Sequence, residues 1–304
     1  MDKKTGWSII KNIFKLVVTL GALYWVSRKI ALDELKDALQ GANPLFLALA
    51  FCSYCFSQLL ASSRLNGFFK GIGLQLTERY NFRLYQLGLL YNFFLPGGIG
   101  GDGYKIYFLK KNHAIKGRKI LSAVFFDRLS GLWALCMVIA TLVIFMPRLA
   151  IPNSLTVVVV LLATASYYYF LRLLFKNFLA RFFSTHLKAL AVQGLQTISA
   201  ICILYAMGFQ GKFSPYLLIF MGSSLVSIIP SIGGGVGLRE LVMIHGATYF
   251  QLDPHIAVLI SLIFYIISLL VASSGIYYIF RPQRLGADKL PSVSEIEQEI
   301  DKEN

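Results

Sequence analysis

Pro96-Gly-Gly-Ile-Gly-Gly-Asp-Gly-Tyr-Lys105 and Pro230-Ser-Ile-Gly-Gly-Gly-Val-Gly-Leu-Arg239 share one pattern, P-x-x-x-G-G-x-G-x followed by Lys or Arg. An apolar run precedes each segment and a shorter one follows it. Proline removes a helix hydrogen bond, and clustered glycines permit backbone angles that other residues avoid. Both segments therefore read as helix–break–helix. The repeated pattern in the same setting points to an internal duplication, with halves near 1–150 and 151–285.

Outward from these segments the chain is apolar. Of 304 residues, 56% are hydrophobic and only 14% charged, against about 25% charged in a soluble domain. Runs at 9–26, 44–62, 120–146, 154–175, 189–208 and 255–280 approach the roughly 17–25 residues that cross about 30 Å of hydrocarbon. They are too long for strands and do not alternate, which argues against an outer-membrane barrel. The expected fold is all-α and polytopic, with about six full transmembrane helices and two re-entrant broken-helix hairpins in inverted repeat. One transmembrane domain would occupy 1–285, and 286–304 would form an acidic, polar cytoplasmic tail. Lys3 and Lys4 precede the first run as in a signal sequence. No A-x-A site follows, so an uncleaved first helix is expected.

The net charge of +14 is distributed by loop. Lys3, Lys4, Lys11 and Lys15 open the first run, and Arg64, Lys70, Arg79 and Arg83 follow the second. Lys110, Lys111, Lys116, Arg118 and Lys119 precede the third. Arg172, Lys176, Arg181 and Lys188 lie between the fourth and fifth, and Arg281 and Arg284 follow the sixth. Two intervening loops are poor in cations, with Arg148 alone in one and Lys212 alone in another, and the 27–43 loop has Arg28, Lys29 and Lys36 beside Asp33, Glu34 and Asp37. Such alternation places both termini in the cytoplasm. It assigns the cations to lipid headgroups rather than to nucleic acid. Counting spans then opens the first hairpin to the cytoplasm and the second to the far side. Inverted repeats with broken helices are a recurrent plan for carriers.

Little points to catalysis. Cys52, Cys55, Cys136 and Cys202 lie in apolar runs. Cys52-x-x-Cys55 has redox or metal spacing but sits mid-helix, which favours packing over chemistry. His113, His186, His245 and His255 are scattered, and only His245 lies near a hairpin. There is no H-E-x-x-H and no phosphate-binding loop ending G-K-S/T. No enzyme activity, metal or cofactor is expected.

The breaks carry the candidate site. Unwound backbone at membrane depth must be buried in protein or line a wet cavity. A helix starting after each break offers free N–H groups and a dipole that favour an anion, and glycines let a phosphate approach closely. The candidates are Asn92, Pro96, Gly100, Gly101, Asp102, Gly103, Lys105 and Arg128, with Pro230, Gly234, Gly235, Gly237, Arg239 and Glu240. Lys105 and Arg239 occupy the same offset and should hold equivalent places in two facing helices. A structural role stays open beside this one. Lys105 would pair with Asp102, and Arg239 with Glu240, to hold helices together. Asp127-Arg128 would be a local or interhelical pair at the membrane boundary.

At these residues the chain resembles a known family. Asn92-Phe-Phe-Leu-Pro96-x3-Gly100-Gly101-Asp102-x2-Lys105, then Phe126-Asp127-Arg128-Leu129-Ser130-Gly131, then Pro230-x6-Gly237-x2-Glu240 look like the lysylphosphatidylglycerol synthase transmembrane region. This flippase-like group includes the membrane half of the bacterial multiple peptide resistance factor. The resemblance implies membrane helices that move or bind a lipid, and makes the candidates lipid-headgroup-binding residues. It implies a lipid translocase of the bacterial plasma (inner) membrane. Its partners would be membrane lipids, anionic or phosphate-bearing, such as a phospholipid or a polyprenyl-phosphate type. The alternatives are a membrane-embedded transferase acting on a lipid, or a non-transporting partner of a separate lipid-modifying enzyme. No counterpart of the resistance factor's soluble aminoacyl-transferase domain is expected, so the name synthase is not expected to carry an activity. The first motif often ends in Arg where this chain has Lys105, a point charge without a bidentate fork.

Overall fold

A computed structural model of the chain describes residues 39–94, 100–113, 115–146, 149, 151–226 and 238–286. Every element among them is a helix. Helix α1 spans Pro44–Gly71. The Asn43 side chain accepts from the Leu45 N–H, and Pro44 stands where no intrahelical donor is needed. The helix stops where Gly73 turns to a φ of +86°, with the Leu74 N–H closing back on Phe69. Helices α2 (Glu78–Phe94) and α3 (Gly100–Asn112) form a first hairpin. Helices α4 (Gly117–Ile144) and α5 (Asn153–Leu174) follow. A 3-10 turn at Lys176–Arg181 leads into α6 (Phe182–Ala206). A second hairpin pairs α7 (Phe213–Val226) with α8 (Leu238–Tyr249). Helix α9 (Pro254–Ser273) is capped by Asp253 and continues into α10 (Ile276–Phe280) and a short 3-10 turn, Pro282–Leu285.

Five of these stretches are long and apolar enough to cross a membrane: α1, α4, α5, the first 3-10 turn with α6, and α9 with α10. The chain is an all-α polytopic membrane protein. These five correspond to the apolar runs beginning at 44, 120, 154, 189 and 255. The run at 9–26 and the tail after Gly286 lie outside the described residues. The sequence ended the second run at residue 62, whereas α1 continues to Gly71 and takes Arg64 inside it.

Helices α1 and α6 form an antiparallel central pair. The Asn43 N–H donates to the Ala206 carbonyl (2.8 Å), and the Ser199 hydroxyl to that of Ala50 (2.9 Å). At the other end Gly67 lies against Thr185, where a Cβ would come within 2.9 Å. Small and hydroxyl residues let the two backbones approach, as membrane helix interfaces require. This pair defines two ends of the bundle, one at Gly71 and one at Ala206. The first hairpin opens at the Gly71 end, where Glu78 accepts from Asn66 (2.8 Å) and Lys70 (2.9 Å). The second opens at the Ala206 end, where the Tyr216 hydroxyl accepts from the Asp253 N–H (3.1 Å). Helices α2, α3, α7 and α8 have 17, 13, 14 and 12 residues. At about 1.5 Å per residue each is shorter than a hydrocarbon core of about 30 Å.

The order long helix, hairpin, long helix occurs twice, as α1–α2/α3–α4 and α6–α7/α8–α9. The packing repeats as well. Helix α2 packs on α9 while α7 packs on α4; α3 packs on α4 while α8 packs on α9; α4 packs on α6 while α9 packs on α1. Each of these contacts maps onto its counterpart when α1 exchanges with α6, α2 with α7, α3 with α8 and α4 with α9. Two apolar clusters follow the same division. One surrounds the first hairpin with Leu65, Phe68, Leu84, Tyr104 and Phe126. The other surrounds the second with Ile203, Phe220, Met243 and Ile263.

Helix α5 stands outside this arrangement. It rests on α4 and the first 3-10 turn, with Leu161 and Leu162 each 63% exposed. Two polar contacts hold it: Trp133 Nε1 donates to Thr164 (3.0 Å), and the Tyr167 hydroxyl meets His186 Nε2 (3.0 Å). Such an apolar exposed surface suits lipid.

Candidate functional site

The first hairpin is built on a backbone crossing. A Cβ on Gly101 would overlap the carbonyl oxygen of Gly88, and one on Gly88 would lie 3.3 Å from the Gly101 oxygen. Only glycine permits this approach. The Asn92 side chain crosses the hairpin to accept from the Gly101 N–H (2.9 Å), satisfying a donor in the first turn of α3. That donor is one the sequence assigned to an anion. Gly100, Gly101 and Gly103 all lie within helix α3 rather than in unwound backbone. Packing explains Gly101, whereas a Cβ on Gly103 would meet nothing within 4 Å.

The glycine crossing makes room for a charge. The Lys105 stem runs over Gly88, within 3.0 Å of where its Cβ would stand. Its ammonium sits 2.6 Å from Asp102 Oδ1 and 5.2 Å from the centre of the Tyr85 ring. The other oxygen of Asp102 accepts from Arg128 Nε on α4. The Lys105 and Asp102 side chains are each 6% exposed, but Arg128 is 45% exposed. One carboxylate thus holds a buried cation and a half-open one. Lys105 and Asp102 pair as the structural alternative required.

Asp127 and Arg128 do not pair with each other, and they do not lie at the start of their helix. Helix α4 begins at Gly117, which places them about 15 Å along it. Neighbours on a helix point in different directions, and these two reach different helices. Asp127 takes Arg64 of α1 in a bidentate pair, Nε to Oδ1 at 2.7 Å and Nη2 to Oδ2 at 3.1 Å. Gly131 leaves space for that guanidinium, since a Cβ there would lie 3.2 Å from it. The Phe126–Gly131 motif therefore locks α1 to α4 and also sends Arg128 to the first hairpin.

In the second hairpin Arg239 lies over two rings, Phe220 of α7 at 5.2 Å and Phe264 of α9 at 5.7 Å. Its Nε and Nη2 are buried and have no hydrogen-bond partner among the described residues. Glu240 accepts from the Ser261 hydroxyl of α9 (3.0 Å). The hairpins are equivalent in one respect: each cation lies 5.2 Å over an aromatic ring of its hairpin's first helix, Tyr85 or Phe220. They differ in another. Asp102 neutralises Lys105, while the sequence has Val236 at the matching place before Arg239. The two cations do not face each other across one interface, because α3 packs on α2 and α4, and α8 on α7 and α9.

Pro96, Pro230, Gly234, Gly235 and Gly237 lie outside the described residues. His245 bonds within its own helix, Nδ1 to the Leu241 carbonyl at 2.8 Å. No group of three or more His, Cys, Asp or Glu able to hold a metal occurs among the described residues. Sequence reasoning missed Tyr85, Gly88, Phe220, Ser261 and Phe264, and counted Arg64 as a loop cation. Arg64 carried a signal, since an arginine within an apolar helix needs a partner.

The family model described as the lysylphosphatidylglycerol synthase TM region matches residues 12–274. No curated protein matches the chain.

Proposed function

The chain belongs to the lysylphosphatidylglycerol synthase TM region family, and on that premise we propose that it translocates a lipid headgroup between leaflets. Family and spanning helices together make it a membrane protein related to lipid handling. One observation carries the finer reading. Two short hairpins open at opposite ends of the bundle, and each bears a cation over a ring of its own first helix. Both hairpins pack on α4 and α9, so a headgroup passing between them would move along these two helices. Acyl chains would stay in the bilayer. Arg239 is the stronger anion acceptor, because it has donors without partners among the described residues, whereas Lys105 is already held by Asp102. Exchange of the two repeats between equivalent packings would give alternating access.

In this reading the hairpins are re-entrant. The Gly71 end, which carries Lys70, Lys110, Lys111, Lys116, Lys119 and Lys176, faces the cytoplasm of a bacterial inner membrane. Transport would run downhill or be coupled to an ion or gradient.

A membrane transferase is the second reading. Glu240 favours it, as a carboxylate next to a cation can serve as acid or base near a bound phosphate. Asp102 suits that role less, being held in two ion pairs. The purified protein in liposomes separates the two. Translocation predicts faster headgroup exchange with every lipid chemically unchanged by mass spectrometry. A new lipid species made by the protein alone would establish the transferase instead.

A further inference from the structure

We propose that a cavity at the Gly71 end, between α4 and the 3-10 turn after α5, binds the headgroup of an anionic phospholipid that remains in one leaflet. The cavity holds about 370 Å³. Lys119 and Ser122 line it from the first turns of α4, and Lys176 and Asn177 from the 3-10 turn. No residue of either hairpin contributes, so this site is separate from the path proposed above and stands whether or not that path transports.

The cavity has a firm floor. Phe175 and Phe178 lie beneath it, packed on Phe126 with ring centres 4.5 and 5.0 Å apart. Gly71 fixes the turn from the α1 side, since a Cβ there would lie 2.9 Å from the Phe178 ring. Two ammonium groups therefore stand on elements held by a packed aromatic cluster. Neither Lys119 nor Lys176 pairs with a carboxylate among the described residues. Helix α4 starts beside the cavity with no side-chain cap at Lys116, which adds a favourable dipole for an anion.

The occupant follows from the walls. Leu173 and Leu174 line the cavity and are 57% and 64% exposed. Acyl chains can lie along these leucines while the phosphodiester sits between the lysines. Basic pockets between membrane helices take anionic headgroups in this way. A zwitterionic headgroup would bring its own cation against two lysines. A soluble phosphate shares the anion chemistry but leaves the leucines uncovered.

The test is thermal unfolding of the full chain in neutral detergent, with phosphatidylglycerol, phosphatidylcholine or glycerophosphoglycerol added. Phosphatidylglycerol is expected to raise Tm by several degrees, and the other two far less. Lys119→Ala with Lys176→Ala should abolish the shift, and Lys119→Arg with Lys176→Arg should keep it. Lys110→Ala with Lys111→Ala removes the same charge at the same end and should also keep it. Should the double alanine variant not fold, lipid retention by the arginine and wild-type proteins in native mass spectrometry still decides between the three ligands. Equal shifts from the two lipids, or a full shift from glycerophosphoglycerol, would overturn the proposal. So would loss of the shift in Arg239→Ala, which would place the lipid at the hairpins.

Discussion

Gly88 and Gly101 bring α2 and α3 into backbone contact, with the Gly88 carbonyl oxygen standing where a Cβ of residue 101 would be. The obstacle is backbone, so no rotamer change relieves it. Gly101→Ala should push the hairpin apart and cost about 1–3 kcal/mol or more. Gly103→Ala meets nothing within 4 Å and should be neutral, or stabilise the helix by about 0.5–1 kcal/mol. Thermal melts of the two variants in detergent check this. Equal stability would show that the crossing is looser than described.

The Arg64–Asp127 pair ties α1 to α4, with side chains 9% and 11% exposed. Removing either partner alone strands a buried charge, at a cost of about 3–5 kcal/mol. Arg64→Leu combined with Asp127→Leu should recover much of that loss. A double-mutant cycle on Tm reads the coupling directly, and additive losses would mean that the two residues act separately.

The Asp102 cluster predicts an order rather than a single value. In Lys105→Met, Asp102 keeps Arg128, so the hairpin should fold and accumulate. In Asp102→Ala, the buried Lys105 loses its carboxylate and the protein should lose about 3–5 kcal/mol. Adding Lys105→Met to Asp102→Ala should restore stability. Expression level and melting temperature in the three variants decide the matter; a less stable Lys105→Met than Asp102→Ala would refute this description of the cluster.

Much of this fold is legible in the sequence. The spans follow from apolar length alone. The paired glycine segments announce two hairpins, and the structure adds that their packing partners exchange in the same way. The meeting of faces was not legible. Arg64 and Asp127 are 63 positions apart, and a single sequence gives spacing along a helix but not which helix lies opposite. The same limit hid Gly88, whose reason is the backbone of Gly101, and Phe264, which covers Arg239 from another helix. The sequence assigns Gly101 to approach by a phosphate; what approaches it is Gly88.

The cations concentrate at the Gly71 end, which predicts a sided topology. Single cysteines at Lys116 and at Lys212, in a background without Cys52, Cys55, Cys136 and Cys202, should label from opposite faces of intact cells. An outside reagent should reach position 212 and miss 116. Labelling of both from the same side would contradict the opposite openings of the two hairpins.

We propose that the two hairpins form a path for a lipid headgroup, with Arg239 as its anion acceptor. The most direct measurement reconstitutes the chain into liposomes carrying a headgroup-labelled phosphatidylglycerol and follows quenching by an impermeant reductant. Wild-type protein is predicted to expose the inner-leaflet pool as well as the outer. Arg239→Ala is predicted to slow that exchange about tenfold or more, in line with loss of a charge-assisted contact of about 1.5–3 kcal/mol, while melting normally. Exchange by wild-type no faster than in empty liposomes, or undiminished in a folded Arg239→Ala protein, would contradict the account.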